Sequence, residues 1–211
     1  RMKKYEIIRL FSEKEENVTD VVTEEIPFAI HVNGKEAVTL LASPTDLEEL
    51  AVGFLFTSGL IKNFEEIKRV AADHSCWAVH VESKDDQIDS RLAFKRVLTS
   101  GCGRGTLFYN ADDLGHKNIE RLSFAIERDR VFQLMKEFQT RSLEFKETGG
   151  VHSAALADSK NILAVREDIG RHNAIDKIFG YALKNHIDLR DKIIFSSGRV
   201  SSEILVKIQK I

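Results

Sequence analysis

The stretch Arg166-Glu167-Asp168-Ile169-Gly170-Arg171-His172-Asn173-Ala174-Ile175-Asp176-Lys177 reads as the end of a strand followed by the first turns of a helix. Ala174, Ile175, Ile178, Phe179, Ala182 and Leu183 recur at helical spacing and predict a helix over residues 171–186 with one face against a core. Upstream, 151–157 and 162–166 read as strands joined across Ser159-Lys160-Asn161. Downstream come a strand over 192–195 and a helix from Ser201. A further helix over 128–145, with Val131, Leu134, Met135 and Phe138 on one side, precedes the set. This order predicts an α/β fold, with residues 128–211 forming a layered α/β lobe.

Residues 1–127 read differently, as a β-rich lobe with one covering helix. Segments 5–11 and 18–23 are rich in β-formers, and 26–32 and 36–41 flank Asn33-Gly34, a strong two-residue hairpin signal. Ser43-Pro44-Thr45-Asp46 reads as a helix start with Ser43 as cap and Pro44 at the first helical position. Leu47, Leu50, Ala51, Phe54 and Leu55 then form an apolar face, and Gly59 marks the stop. A weaker helix is expected over 65–70, strands around 78–82 and 92–98, and a turn at Ser83-Lys84-Asp85-Asp86.

The 211 residues carry 31 Lys and Arg against 33 Asp and Glu, a net charge of −2. That balance argues against a general nucleic-acid or membrane surface, so an anionic ligand must be held in a local pocket. No stretch approaches the roughly 18 consecutive apolar residues of a membrane span, which predicts a cytoplasmic protein. Arg1 ahead of Met2 reads as an added residue and carries no argument. Two cysteines, Cys76 and Cys102, are too few for a disulfide scaffold, and either could serve as a reactive thiol.

Four segments bear on chemistry. In Thr99-Ser100-Gly101-Cys102-Gly103-Arg104-Gly105-Thr106, three glycines surround one thiol and permit unusual backbone angles and close approach of another macromolecule. Arg104 and exposed amide groups there could stabilise a thiolate or persulfide. The competing reading is a loop with an incidental cysteine. Arg171 and His172 sit where helix N–H groups favour anions, and His172 and Asp176, four apart, read equally well as a surface pair on a capped helix. Ser196-Ser197-Gly198-Arg199-Val200-Ser201-Ser202-Glu203 places hydroxyl, amide and guanidinium donors at a strand-to-helix turn, which suits a phosphate or pyrophosphate group; ordinary capping is the alternative. His152, on the strand after Gly149-Gly150, is either a core histidine or a ligand contact. His74, Cys76 and His80 share a strand-face spacing but do not complete a metal site, and read as a solvated face.

The blocks Glu25-Ile26-Pro27-Phe28, Ala51-Val52-Gly53-Phe54-Leu55, Ser100-Gly101-Cys102-Gly103, Gly149-Gly150-Val151-His152-Ser153-Ala154-Ala155, Arg166 to Ala174, and Ser196-Ser197-Gly198-Arg199 occur in an order that resembles the FdhD family of formate dehydrogenase accessory sulfurtransferases. The resemblance implies a sulfur relay. Persulfide sulfur from a cysteine desulfurase is accepted on Cys102 and passed to the molybdenum bis(molybdopterin guanine dinucleotide) cofactor for apo-formate dehydrogenase. The cofactor is cargo rather than a tightly bound prosthetic group. It also implies a larger lobe similar to cytidine deaminases in fold but without their zinc site, a homodimer, and a site for the guanine nucleotide portion. The anion-suited His152, Arg171, His172, Ser197, Gly198 and Arg199 fit that ligand chemically.

Two departures stand out. Many relatives carry Cys-x-x-Cys in the loop, whereas Cys102 is followed here by Gly103-Arg104-Gly105, and relatives continue with a C-terminal stretch past the position of Ile211. A zinc nucleobase deaminase would need His-x-Glu and a cysteine pair, but His152-Ser153-Ala154 lacks the glutamate and no cysteine pair exists. A non-catalytic cofactor chaperone with a dispensable Cys102 uses the same anion-binding segments and stays open.

Overall fold

A computed structural model describes residues 2–85, 97–98, 106–107 and 124–209. The fold is mixed α/β. Strands β1 (Met2–Leu10) and β2 (Glu15–Thr23) form an antiparallel ribbon. A four-stranded sheet follows, built from β3 (Ile26–Val32), β4 (Lys35–Ala42), β5 (Ile67–Asp73) and β6 (Ala78–Ser83) in the order β4-β3-β6-β5. Only β3 and β6 run parallel. Asn33 and Gly34 both take positive φ, 48° and 81°, as the predicted tight hairpin requires.

Short strands β7 (Val97–Leu98) and β8 (Thr106–Leu107) pair antiparallel. Cys102 itself lies outside the described residues, as does most of the strand expected over 92–98.

Helix α1 (Leu47–Thr57) precedes β5, and α2 (Arg128–Arg141) and α3 (Leu143–Thr148) precede the second sheet. That sheet comprises β9 (His152–Ala157), β10 (Ile162–Asp168) and β11 (Ile193–Ser196), antiparallel in the order β10-β9-β11. Helices α4 (Arg171–Lys184) and α5 (Ser202–Ile208) complete the chain. One apolar cluster joins Ile26, Phe28, Ile30 and Val32 of β3, the buried residues of α1 and α4, and Ala154, Leu156 and Ala164 of the second sheet. Alternate residues Ala155 and Ala157 of β9 turn to the other face and pack with Leu134 and Phe138 of α2. Residues on both sides of position 128 therefore contribute to the main core.

The expected elements depart from the structure in three places, each with a local cause. Ser43 does not cap α1. The helix starts at Leu47 behind Asp46, whose φ is 52°, and Ser43 is buried with its polar groups used elsewhere. The segment expected as a helix over 65–70 is a single 3-10 turn, Phe64–Glu66, followed by β5, because Ile67 and Val70 pack on the core along an extended strand paired with β6. The long helix expected over 128–145 breaks at Ser142, where ψ is 79°, and restarts as α3.

Helices α1 and α4 touch backbone to backbone through two glycines. A Cβ on Gly53 would lie 1.7 Å from the Asp176 carbonyl oxygen, and one on Gly180 would lie 1.8 Å from that of Glu49. Neither obstacle is a side chain that can swing away. Gly53→Ala should therefore destabilise the protein by at least the roughly 1–3 kcal/mol typical of overpacking, whereas Gly34→Ala, which meets nothing within 4 Å, should cost only its backbone strain. Urea midpoints of the two variants check the contrast.

Candidate functional site

The site is built by the block from Arg166 to Lys177, almost every member of which holds a separate neighbour in place. Arg166 forms a forked pair with Glu49 of α1, at 2.5 and 2.9 Å, and its guanidinium lies 4.8 Å from the Tyr181 ring centroid. Glu167 accepts the N–H groups of Glu144 and Phe145, both at 2.9 Å, and so caps α3 from outside it. The Ser153 hydroxyl donates to the same carboxylate.

Asp168 is fully buried and accepts from four directions. Its Oδ2 receives the Ser43 N–H at 3.1 Å and lies 2.8 Å from Lys177 Nζ. Its Oδ1 receives the Gly170 N–H and Asn173 Nδ2, each at 2.9 Å. Lys177 also donates to the Glu167 carbonyl, and Asn173 to the Leu41 carbonyl at the end of β4. The Ser43 hydroxyl accepts the Ile169 N–H. The connection leading into α4 is thereby fixed to the segment joining β4 and α1.

The alternative of a surface pair between His172 and Asp176 is not what forms. Asp176 is buried and receives Thr57 Oγ1 at 2.7 Å and Lys207 Nζ at 2.7 and 2.5 Å, which ties α5 to α1 and α4. Burial pushes the Asp176 carboxyl above its usual range, with the Lys207 ammonium opposing that shift. His172 instead faces α5, its Nε2 lying 3.0 Å from Glu203 Oε2.

Five of the six expected ligand-binding residues come together at this end of the fold. Gly198 lies where a Cβ would be 3.2 Å from Arg171 Cβ and 3.3 Å from His152 Nδ1, so the bare glycine lets the turn after β11 close against both. Ser197 extends the β9–β11 pairing: its N–H donates to the Ser153 carbonyl and its hydroxyl accepts the Ser153 N–H, both at 2.9 Å. Its hydroxyl proton remains available to a ligand. Arg199 is the sixth; it is exposed and has no side-chain partner among the described residues.

Three buried polar atoms around the starts of α4 and α5 make no hydrogen bond among the described residues: Arg171 Nε, Ser201 Oγ and His172 Nε2, whose close approach to Glu203 does not have hydrogen-bond geometry. Such atoms are costly to leave unsatisfied, and a cluster of them calls for an anionic or hydrogen-bonding ligand. Burial, aided by the charges of Lys207 and Arg171 and by His152, depresses the His172 pKa from 6.5 to about 4, so its ring is neutral near neutral pH. His152 is lowered too, first by burial and then by Arg171, with Asp168 opposing.

Asp168, Lys177, Ser201 and Glu203 lie in the segments that bear on chemistry but carry no individual role by sequence, and Lys207 lies outside those segments. The available signal is that every residue from Asn173 to Gly180 is buried: a charge on a helix enclosed on all sides needs a partner. The turn bearing His74 and Cys76 is likewise not a strand face; only His80 lies in β6, stacked on His31 with ring centroids 5.0 Å apart.

Two outcomes follow. Lys177→Met, which strands the Asp168 charge in the interior, should cost about 3–5 kcal/mol in chemical denaturation. Between pH 6.5 and about 4, unfolded chains protonate His172 while folded ones do not, so folding stability should fall as pH drops through that window. His172→Gln should remove on the order of 2–3 kcal/mol of that fall, read from denaturation midpoints at the two ends.

Comparisons with known proteins place the chain in a family. The FdhD/NarQ family model matches residues 23–211. The chain is 40% identical over 206 residues to the sulfur carrier protein FdhD of Staphylococcus aureus strain MRSA252, covering 97% of this chain and 78% of that protein. It is 45% identical over 196 residues to that of Bacillus pumilus strain SAFR-032, covering 92% and 74%. In fold it is similar to a crystal structure described as a formate dehydrogenase accessory protein from Desulfotalea psychrophila, with a TM-score of 0.74 at 22% identity, covering 99% of this chain and 79% of that one. With the motif blocks in order and a family match over nearly its whole length, the chain belongs to the FdhD/NarQ family.

Proposed function

We propose that this protein is a cytoplasmic sulfur carrier for formate dehydrogenase maturation, working as a homodimer. Cys102 takes sulfur from a cysteine desulfurase: its thiolate attacks the outer sulfur of the desulfurase persulfide, that S–S bond breaks, a new one forms on Cys102, and the desulfurase thiolate leaves. The sulfur is then delivered to the molybdenum bis(molybdopterin guanine dinucleotide) cofactor destined for apo-formate dehydrogenase. The cofactor is cargo, and its nucleotide portion is held by His152, Arg171, His172, Ser197, Gly198 and Arg199.

The observation that carries the ligand half of this reading is the cluster of unpartnered polar atoms at Arg171, His172 and Ser201, beside Gly198. A phosphate would meet the guanidinium and the free N–H groups at the start of α4, a fourteen-residue helix. The sulfur half is supported by the name sulfur carrier protein borne by relatives at 40 and 45% identity, and by the single thiol among three glycines.

Intact mass after incubation with an active cysteine desulfurase and free cysteine tests the acceptor. The wild type should gain a reducible sulfur and Cys102→Ala should not. An equal gain in both would move the acceptor to another residue, Cys76 being the other thiol, and none in either would leave a cofactor chaperone; each overturns the assignment. Arg171→Ala and Arg199→Ala should each weaken guanosine diphosphate binding about tenfold or more in calorimetry, the loss of one charge-assisted contact.

A further inference from the structure

We propose that the outer edge of β1 is a dimer interface, pairing antiparallel with β1 of a second copy of this chain in the register that sets Tyr5 opposite its own counterpart. The inference rests on the reading of the protein as a homodimer and adds to it the surface and the register.

The ribbon of β1 and β2 has no core of its own. Neither strand contains a buried residue, and among the described residues the two pair only with each other. Met2, Tyr5, Ile8, Leu10, Phe11 and Val22, all on this ribbon, make up half of the large apolar side chains left exposed among the described residues. A lone two-stranded ribbon is marginal in water. This one is tied down at its base, where the Thr23 hydroxyl donates to Glu144 of α3 and a Cβ on Gly150 would lie 3.0 Å from Thr23 Cγ2.

β1 is an open template for a further strand. Its nine residues include no proline and pair with β2 without a bulge, and its outer row of N–H and C=O groups has no partner strand among the described residues. A two-fold axis through a new ladder sets one residue of β1 opposite its own counterpart, and charge selects which. Centring on Lys4 opposes two ammonium groups. Centring on Glu6 opposes two carboxylates and sets Lys3 against Arg9, while centring on Ile7 pairs no opposite charges. Centring on Tyr5 sets Lys4 opposite Glu6 of the second copy twice over, Met2 opposite Ile8, and the two tyrosines opposite each other. Both charged groups are free to meet. Lys4 is exposed with no ion-pair partner among the described residues, and Glu6 accepts only the Thr19 hydroxyl, which leaves most of its acceptor capacity unused.

The edge therefore carries its own complement, which makes a second copy its occupant. β2 offers no equivalent, because Glu15, Glu16 and Asp20 with no basic residue repel a second β2. Pairing β1 with β2 of the copy is a head-to-tail contact, which does not close into a dimer.

Sedimentation velocity on the full chain tests the pairing. The wild type should be a dimer. Lys4→Glu, which sets carboxylates opposite each other twice, should weaken it about tenfold or more. Lys4→Glu/Glu6→Lys should restore it, since the exchanged charges meet again. Both positions are exposed, so circular dichroism should show each variant folded. In a Cys76→Ser/Cys102→Ser background, Tyr5→Cys should be joined to its counterpart by a short bismaleimide. A dimer indifferent to Lys4→Glu, a double variant as weak as the single one, or a dimer that Tyr5→Cys does not cross-link overturns the interface. A monomeric wild type overturns the homodimer reading itself.

Discussion

The arrangement depends on one buried carboxylate. Asp168 has no exposed surface, and its charge is tolerable only because backbone N–H groups, an amide side chain and the Lys177 ammonium surround it. These donors come from the turn that follows β4, from the start of α4 and from one turn further along that helix. Their convergence on one side chain sets where α4 begins, and so where Arg171 and His172 stand. A second buried pair, Asp176 with Lys207, does the same for α5 and brings Glu203 and Ser201 to the pocket. Both pairs are anchored on α4, whose Gly180, with Gly53 opposite, lets it lie directly on α1.

Seen this way, the block from Arg166 to Lys177 divides its work between structure and ligand. Arg166, Glu167, Asp168, Asn173, Asp176 and Lys177 spend their polar groups on α1, α3, the turn after β4 and α5. Arg171 and His172, lying between them in sequence, keep nitrogens with no partner. Evenly satisfied surroundings with unsatisfied atoms at the centre are what a preorganised binding site needs, because ligand capture then requires little rearrangement.

Much of this was legible in the sequence because it follows short-range rules. The Asn33-Gly34 hairpin, the strands around Ser159-Lys160-Asn161, and α4 follow from turn chemistry and apolar periodicity, whereas the gathering of His152, Arg171 and Gly198 is implied only by the family resemblance. What was not legible depends on distant partners. Ser43 has the local signature of a cap, but Asp168 and Ile169, some 125 positions away, claim its groups. His172 and Asp176 have the spacing of a surface pair, but Lys207 claims Asp176. The 3-10 turn at Phe64–Glu66 gives way to β5 because pairing with β6 outweighs local helical preference. Glu203 carries no sequence signal at all apart from its place in the first turn of α5.

The central claim is that the unpartnered polar atoms beside the starts of α4 and α5 form the ligand site. Nitrogen-15 spectra of the histidine side chains, recorded while guanosine diphosphate is added, test it most directly, since among the described residues only His152 and His172 lie at the site. The resonances of His152 and His172 should move on saturation while those of His31, His74 and His80 stay fixed; binding that leaves His152 and His172 unmoved would contradict the account.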